Sequence, residues 1–280
     1  VCDRMEPQQA HHVLSRMLAT MIARGPDGEG RFVEPHIAMG MRRLAVIDVE
    51  GGGQPLFSRD GQVVAFQNGE IYNHAALRRE LAQRGVEFRT ASDTEVLAHG
   101  YDHWGMDGLL ARLDGMYAIA ILDQRNHRLH LARDRFGEKP LYYSVANGKF
   151  AYSSNTTALA WLPWGDRDID AGSVDRYLAL HYVPGRRTMF KGIQRVLPGE
   201  HISISLDSLQ IIHDRYYRPA MGPIEPVDTG TLVGRIEAAV TSRLVADVPV
   251  GVFLSGGIDS SIVAALAAKH HPAIDTFSMG

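Results

Sequence analysis

The sequence predicts an α+β layered sandwich followed by the opening of a parallel α/β domain. Three observations point there. Between residues 36 and 207, short segments alternate apolar and polar residues with the period of two that half-buried strands require. Two longer segments inside that region repeat with a helical period, as helices covering one face of a sheet do. Beyond a proline- and glycine-rich stretch at 218–230, an apolar run breaks at two glycines and resumes as an alanine-rich helix former.

A chain of 280 residues is long enough for two domains with a substantial core. Its 45% hydrophobic and 22% charged residues, with a formal net charge of -3, are the profile of a soluble globular protein and offer no basic footprint for nucleic acid. The single cysteine, Cys2, excludes an internal disulfide and a cysteine-rich zinc site, so a reducing compartment is expected. The start "VCDRMEPQQAHH" has no apolar targeting core, and no run approaches membrane-spanning length. A cytoplasmic protein with neither nucleic-acid nor membrane partner is therefore expected.

The elements follow in order. From residue 12, "HVLSRMLATMIARG" places Val13, Leu14, Met17, Leu18, Met21 and Ile22 on one helical stripe that Gly25-Pro26 ends. Strands are predicted at "HIAMGMRRLAVIDV", "QVVAFQNGEIY", "GMYAIAILD", "HRLHLARD", "LYYSV", "KFAYSS" and "HISISLD". Turn clusters such as Asp60-Gly61, Gln124-Arg125-Asn126 and Ala146-Asn147-Gly148 separate them, which suggests hairpins and a mostly antiparallel sheet system. Helices interrupt at "HAALRRELAQRG", ended by Gly85, and at "SDTEVLAHGYDHWG", where Ser92 and Glu95 have capping-box spacing. After the linker come a helix, "TLVGRIEAAVTSRLV", a strand, a glycine turn, a second helix and a last strand, "DTFSMG". One strand–helix–strand unit cannot cover both faces of a parallel sheet, so the natural polypeptide is expected to continue past Gly280.

The glycine turn is "LSGGIDSS", residues 254–261. Glycines at a helix start expose backbone N–H groups beside the positive end of the helix dipole, which suits phosphate. No Gly-Lys-Ser/Thr follows, so this is not a Walker loop, and it is not G-x-G-x-x-G. Ser255, Gly256, Gly257 and Ser260 offer hydroxyls and amides, while Asp259 adds a carboxylate that would repel phosphates unless a divalent cation, Mg²⁺, stands between. The plainer alternative is that Ser255 and Asp259 cap a helix after a tight turn. S-G-G-x-D-S after an apolar strand resembles the PP-loop of the ATP pyrophosphatase family, which cuts ATP between its α- and β-phosphates.

Upstream, "RGPDGEG" (24–30), "RRLAVID" (42–48), "QPLF" (54–57), "NGEIYNH" (68–74), "SDTE" (92–95) and "ARDRFGEKPLYY" (132–143) occur in this order. With the PP-loop, that series resembles the glutamine-hydrolysing asparagine synthetase family. The resemblance implies a class II glutaminase domain at 1–217 with a four-layer αββα N-terminal-nucleophile sandwich, a linker at 218–230, and the first part of a PP-loop synthetase domain at 231–280. It implies an ATP- and Mg²⁺-dependent enzyme that hydrolyses glutamine and transfers the ammonia to aspartate through β-aspartyl-AMP, with a homodimer possible. Alternatives are a synthetase of the same architecture acting on a sugar acid or natural-product carboxylate, and a glutaminase-dead, ammonia-dependent or non-catalytic interaction protein. The present span alone is expected to be inactive.

Amide hydrolysis needs a nucleophile, donors for the tetrahedral oxyanion, and a grip on the amino-acid end. By resemblance, Asn68 and Gly69 are the oxyanion pair, although Asn-Gly between strands is equally a hairpin signal. Arg43 matches the residue that takes the glutamine α-carboxylate, a task suited to its planar fork, with a solvated strand arginine as the alternative. Val46 and Ile47 match positions lining the same pocket, and Glu70 and Asp93 match carboxylates near the α-ammonium; Asp93 also lies inside the Ser92-to-Glu95 cap. Ser255, Gly256, Gly257, Asp259 and Ser260 would hold pyrophosphate, with Mg²⁺ on Asp259, and Leu254 and Met279 would touch adenosine at the carboxyl ends of adjacent strands.

Several positions depart from the family. Its nucleophile is an N-terminal cysteine followed by Gly-Ile, whereas Cys2 follows Val1 and precedes Asp3-Arg4. The nucleophile is therefore expected upstream of Val1 rather than at Cys2. Met41 stands where a histidine is frequent, and Asn155 and Thr157 in "SSNTTAL" replace a charged pair, so ammonia transfer or acceptor choice could differ. His99 and His103 have a metal-compatible helical spacing but no third ligand, so a solvated face is expected. Ile262, Val263 and Leu266 are expected to form a core stripe.

Overall fold

A computed structural model of the chain describes residues 7–222 and 226–279. The chain divides into two units, one of Val1–Ala45 with Glu50–Arg218 and one of Val46–Val49 with Pro219–Gly280.

The first unit is built on a six-stranded sheet of order β11-β10-β6-β5-β4-β3. Its strands are β3 (Leu56–Phe57), β4 (Val63–Ile71), β5 (Gly115–Asp123), β6 (Arg128–Arg133), β10 (His201–Ser205) and β11 (Ile211–Asp214), and every pairing is antiparallel. The central strand β5 is apolar on both faces because both are covered. Tyr117, Ile119 and Ile121 pack toward α2 (His74–Gln83) and α3 (Glu95–Arg112), together with Leu77, Leu97 and Leu109. Ala118, Ala120 and Leu122 pack the other way, against Met39, Tyr143 and Phe150 of a second β layer.

That second layer consists of the hairpin β1 (Gly28–Glu34)–β2 (Ile37–Arg43) and a three-stranded piece, β8 (Lys149–Ser153), β7 (Tyr142–Ala146) and β9 (Ile193–Arg195). Its outer face is covered by α1 (Pro7–Ala19) and α4 (Thr156–Ala160), through Val13, Leu14, Leu18 and Leu159. The result is the four-layer αββα sandwich. A further helix, α5 (Ala171–Leu180), is capped by Asp170, whose side chain accepts from Gly172 N–H at 3.1 Å.

Local details differ from the sequence expectations. The first helical stripe stops at Ala19 and a 3₁₀ turn takes over at Ile22–Arg24, which leaves Ile22 52% exposed. The strand expected over 36–49 ends at Arg43, the last residue paired across the hairpin with Gly28. The capping box does not form. Ser92 Oγ accepts from Thr94 N–H at 3.2 Å, while the Glu95 carboxylate turns back to accept from the N–H groups of Arg89 (2.8 Å) and Thr90 (2.9 Å). The helix expected to end near Gly105 bends there, with φ 66 and ψ -178, and resumes to Arg112.

In the second unit, Asp228 caps α6 (Thr229–Ser242) by accepting from Thr231 N–H at 2.9 Å. The chain then forms β12 (Gly251–Phe253), α7 (Ile258–His270) and β13 (Asp275–Phe277), with the two strands parallel, as the sequence predicts. The α7 stripe is not core. Ile262 is 41% and Val263 38% exposed, because a sheet of two short strands covers little of the helix surface, and Ala267 is its buried residue. Among the described residues no helix is long and apolar enough to cross a membrane.

Candidate functional site

The strand period decides which residues of β4 share a face. Val64 and Phe66 point into the core between the two β layers, and Asn68 and Glu70 continue that row toward the strand end. Val63, Ala65 and Ile71 face the helices, and Gln67 and Gly69 belong to that row. Asn68-Gly69 is therefore not a hairpin turn. It lies inside β4, paired with Ala118 and Tyr117 of β5.

Asn68 Nδ2 donates to Ser154 Oγ at 3.0 Å. Asn68 also lines a cavity of about 100 Å³ with Met41, Arg42, Tyr152 and Ser154 among its walls. Gly69 has φ +140, and a Cβ there would come within 1.9 Å of the Met116 carbonyl oxygen, so only glycine fits. The side-chain amide and the glycine backbone are thus held side by side on a buried central strand, the kind of rigid element that keeps an oxyanion site preorganised.

Glu70 is half-buried, and its Oε2 has no hydrogen-bond partner. Burial pushes its carboxyl up to about 8, the negative charge of Asp93 adds to the rise, and the cations Lys139 and Arg43 act against it. A carboxylate oxygen withdrawn from water with no donor is what a ligand ammonium would satisfy. Asp93 works from the helix side. It is 4% exposed, and its Oδ2 accepts from Ile71 N–H and Gln67 Nε2, each at 2.8 Å. Burial raises its carboxyl too, while those two donors pull the other way. Asp93 fastens the end of β4 and reaches Glu70 through its field. Arg43 ends β2, half-buried, with its charge felt at Glu70. Val46 and Ile47 belong to the segment that groups with the second unit. Cys2 lies outside the described residues.

Sequence reasoning missed three supports of this site. Lys139 is set by the turn after β6, where Asp134, 1% exposed, accepts from the N–H groups of Phe136 (3.1 Å), Glu138 (2.9 Å) and Lys139 (3.0 Å). Arg133 closes the same turn by donating to the carbonyls of Lys139 (2.6 Å) and Gly137 (2.6 Å). The signal was present in the Arg-Asp-Arg-Phe-Gly-Glu-Lys-Pro run, whose buried charges organise backbone. Gln54 pairs with Gln67 like an added strand residue, accepting from its N–H at 2.7 Å and donating to its carbonyl at 3.3 Å. Ser154 is the third, as the partner of Asn68.

Two further expectations are corrected or sharpened. His99 is not on a solvated face but 3% exposed, edge-on to Phe88 and 3.5 Å from Glu95. Burial would raise the Glu95 carboxyl, but donors from His99, Arg89 and Thr90 outweigh it and hold it at about 2. Asn155 caps α4, its Oδ1 accepting from Thr157 N–H at 2.9 Å, which gives the replaced charged pair a structural use.

At the glycine turn, Gly257 is the N-cap of α7 and no side chain caps it. Ser255 Oγ lies 3.0 Å from Ser260 Oγ rather than on a helix N–H, so plain capping does not describe the motif. Gly256 has φ +79 with nothing within 4 Å of its would-be Cβ, and Asp259 is exposed in the first turn. Uncapped amides, two hydroxyls and an open carboxylate fit pyrophosphate with a divalent cation. Leu254 N–H donates to Phe277 O at 2.8 Å, tying the ends of β12 and β13, and Met279 is 98% exposed just beyond.

A layered αββα sandwich presenting an amide, a conformationally restricted glycine and a withdrawn carboxylate, followed in sequence by a strand–glycine turn–helix–strand unit, places the chain in a class of two-unit α+β and α/β proteins. The glutamine amidotransferase domain model matches residues 1–217, and the asparagine synthase model matches residues 231–280. The chain belongs to the glutamine amidotransferase family. It is 38% identical over 272 residues to asparagine synthetase (glutamine-hydrolyzing) 1 of Bacillus subtilis, covering 96% of this chain and 42% of that protein. It is 35% identical over 252 residues to asparagine synthetase (glutamine-hydrolyzing) 2 of Arabidopsis thaliana, covering 88% of this chain and 38% of that one. The chain thus spans less than half the length of these relatives. Among solved structures, the glutamine phosphoribosylpyrophosphate amidotransferase of B. subtilis, complexed with ADP and GMP, shares the fold. The TM-score is 0.55 at 20% identity, covering 99% of this chain and 64% of that one.

Proposed function

We propose that the chain carries the glutaminase domain, at 1–217, and the first part of the synthetase domain, at 231–280, of an ATP-dependent enzyme that makes asparagine from aspartate with glutamine as nitrogen donor. The observation that carries this is the withdrawn, unpartnered Glu70 oxygen at the end of β4, beside Asn68-Gly69 and within reach of the Arg43 charge. That array suits a zwitterionic amino acid bearing an amide. Glu70 takes the ammonium, Arg43 the α-carboxylate, and Asn68 Nδ2 with the Gly69 amide the oxyanion that forms when the amide carbon is attacked. Asp93 sets the charge of Glu70 from behind.

In the second unit, Ser255, Gly256, Gly257 and Ser260 receive the pyrophosphate of ATP and Asp259 holds Mg²⁺, with Leu254 and Met279 against the adenosine. ATP supplies the activation of the acceptor carboxylate as an acyl adenylate, and ammonia displaces AMP.

The test uses the full-length protein. Release of glutamate from glutamine and aspartate-dependent formation of AMP and pyrophosphate are expected. Asp259→Ala abolishes the second and spares the first. ADP as product overturns the glycine-turn half of the proposal, and an inert glutaminase points to the interaction-protein alternative. Cys2→Ala is expected to leave glutaminase activity intact; its loss would make Cys2 the nucleophile. AMP formation with another carboxylate but not with aspartate would overturn the acceptor.

A further inference from the structure

The face of the central sheet that packs on α3 carries a run of polar groups that the proposed chemistry does not use. Asp123, at the end of β5, accepts from the Asn126 backbone N–H (3.1 Å), Asn126 Nδ2 (2.7 Å) and the Tyr101 hydroxyl (2.9 Å). The Tyr101 oxygen is also 3.1 Å from His130 Nε2, and His130 Nδ1 is 2.9 Å from His201 Nε2, with the two rings stacked at 27°. At the far end, one ring nitrogen of His201 and one carboxylate oxygen each from Asp107 and Asp214 lie within 4.8 Å of one another. Asp107 comes from α3, His201 from β10 and Asp214 from the paired position on β11.

The first member fixes the polarity of the whole run. A carboxylate accepting three bonds takes the only proton of Tyr101, so His130 Nε2–H must donate to the tyrosine oxygen. In a neutral ring the other nitrogen is then an acceptor, and His201 Nε2–H donates to it. The nitrogen left on His201 is Nδ1, with a lone pair. Because β10 lies between β6 and β11, His130 and Asp214 come from the strands on either side of His201. His201 is 8% exposed, so a nearly buried imidazole stands beside two carboxylates that come from different elements.

We propose that Asp107, His201 and Asp214 bind a divalent transition-metal ion, Zn²⁺ by the character of the donors. One imidazole nitrogen with two carboxylate oxygens is a borderline set that suits zinc, whereas Mg²⁺ and Ca²⁺ favour oxygen alone. Both aspartates are exposed, so water completes the coordination. The run His130, Tyr101, Asp123 is the outer partner that fixes the ligand ring and its tautomer. The ion would clip α3 to the β10–β11 hairpin, two elements that are far apart in the chain.

The purified full-length protein is stripped with a chelator and titrated with Zn²⁺ in the absence of nucleotide and Mg²⁺. One ion per chain is expected, unaffected by millimolar Mg²⁺, with a rise in Tm on the order of 5 °C at a hundredfold excess over Kd. Co²⁺ in its place should give the absorption of a nitrogen- and oxygen-bound ion. Asp107→Asn with Asp214→Asn, at exposed positions that keep the fold, should abolish the site while circular dichroism and glutamate release stay unchanged. His130→Phe should weaken binding roughly tenfold by freeing the ligand ring. The proposal is overturned if no saturable binding occurs, or if the double asparagine variant binds as tightly as the parent.

Discussion

Replacing Glu70 by glutamine removes a group that the fold keeps protonated, and the consequence for stability can be given a sign and a size. The carboxyl is pushed up to about 8 by burial first and by the Asp93 charge second, from an ordinary value of 4.5. Between those two values the folded chain binds more protons than the unfolded chain, so stability falls as pH rises. The benefit of the folded environment is complete below 4.5 and is lost as pH climbs through about 8. Taken at full strength, that interval is worth about 5 kcal/mol; Glu70 is only half-buried, and solvent screening brings the expectation down to roughly 1–3 kcal/mol.

Glutamine has the same shape and no charge to bury. At pH 5 the parent and Glu70→Gln proteins should unfold at nearly equal urea concentrations, and above pH 8 the variant should be the more stable by that amount. In this 280-residue chain, tryptophan fluorescence reports on the relevant unit, because Trp104, Trp161 and Trp164 all lie in the first one. A stability gap that does not change with pH, or one that opens toward acid, would refute the reasoning. Binding provides the companion measurement. If the charged form of Glu70 meets the ligand ammonium, affinity for glutamine should climb about tenfold per pH unit toward 8 in the parent and stay flat in the variant. A flat parent profile would remove Glu70 from the ammonium site while leaving the stability result standing.

Gly69→Ala should cost about 3 kcal/mol or more, or prevent folding, since the new methyl meets the Met116 carbonyl at 1.9 Å; Asn68→Ala in the same strand should fold and lose only activity. Asn155→Ala should lower the urea midpoint by the equivalent of about 1 kcal/mol through loss of the α4 cap, with Asn155→Asp largely neutral. Glu200 is 3% exposed and takes donors from Arg186 (3.1 Å), His213 (2.9 Å) and the Leu197 N–H (2.6 Å). Burial opposes its ionisation, yet these donors win and hold its carboxyl below the ordinary 4.5. Its contribution is therefore present above 4.5 and lost in acid, and Glu200→Gln should destabilise by about 2–4 kcal/mol at pH 7 and progressively less as the pH falls below 4.5.

How much of this was legible in the sequence depends on the range over which each feature is decided. Alternation along β4 and β5 is local and marked both strands and the layered class correctly, and the strand–glycine turn–helix–strand order marked the parallel β12–β13 pair. The same local signals misled where a distant partner decides. Ser92 and Glu95 have the spacing of a capping box, but the amides of Arg89 and Thr90 offer Glu95 a better set of donors. His99 and His103 share a helical face by spacing, yet Phe88 and Glu95 bury the first. Ile262 and Val263 form an apolar stripe that no segment can endow with its own cover. Asn68-Gly69 is the sharpest case, since a turn and a strand position ask for the same two letters. Only the strand opposite resolves it. Once β5 lies alongside, the Met116 carbonyl fills the space of a side chain, and glycine is demanded by a neighbour rather than by a bend. The charge of Glu70 follows the same rule, because Asp93 and Lys139 approach it only through the topology that the alternation builds.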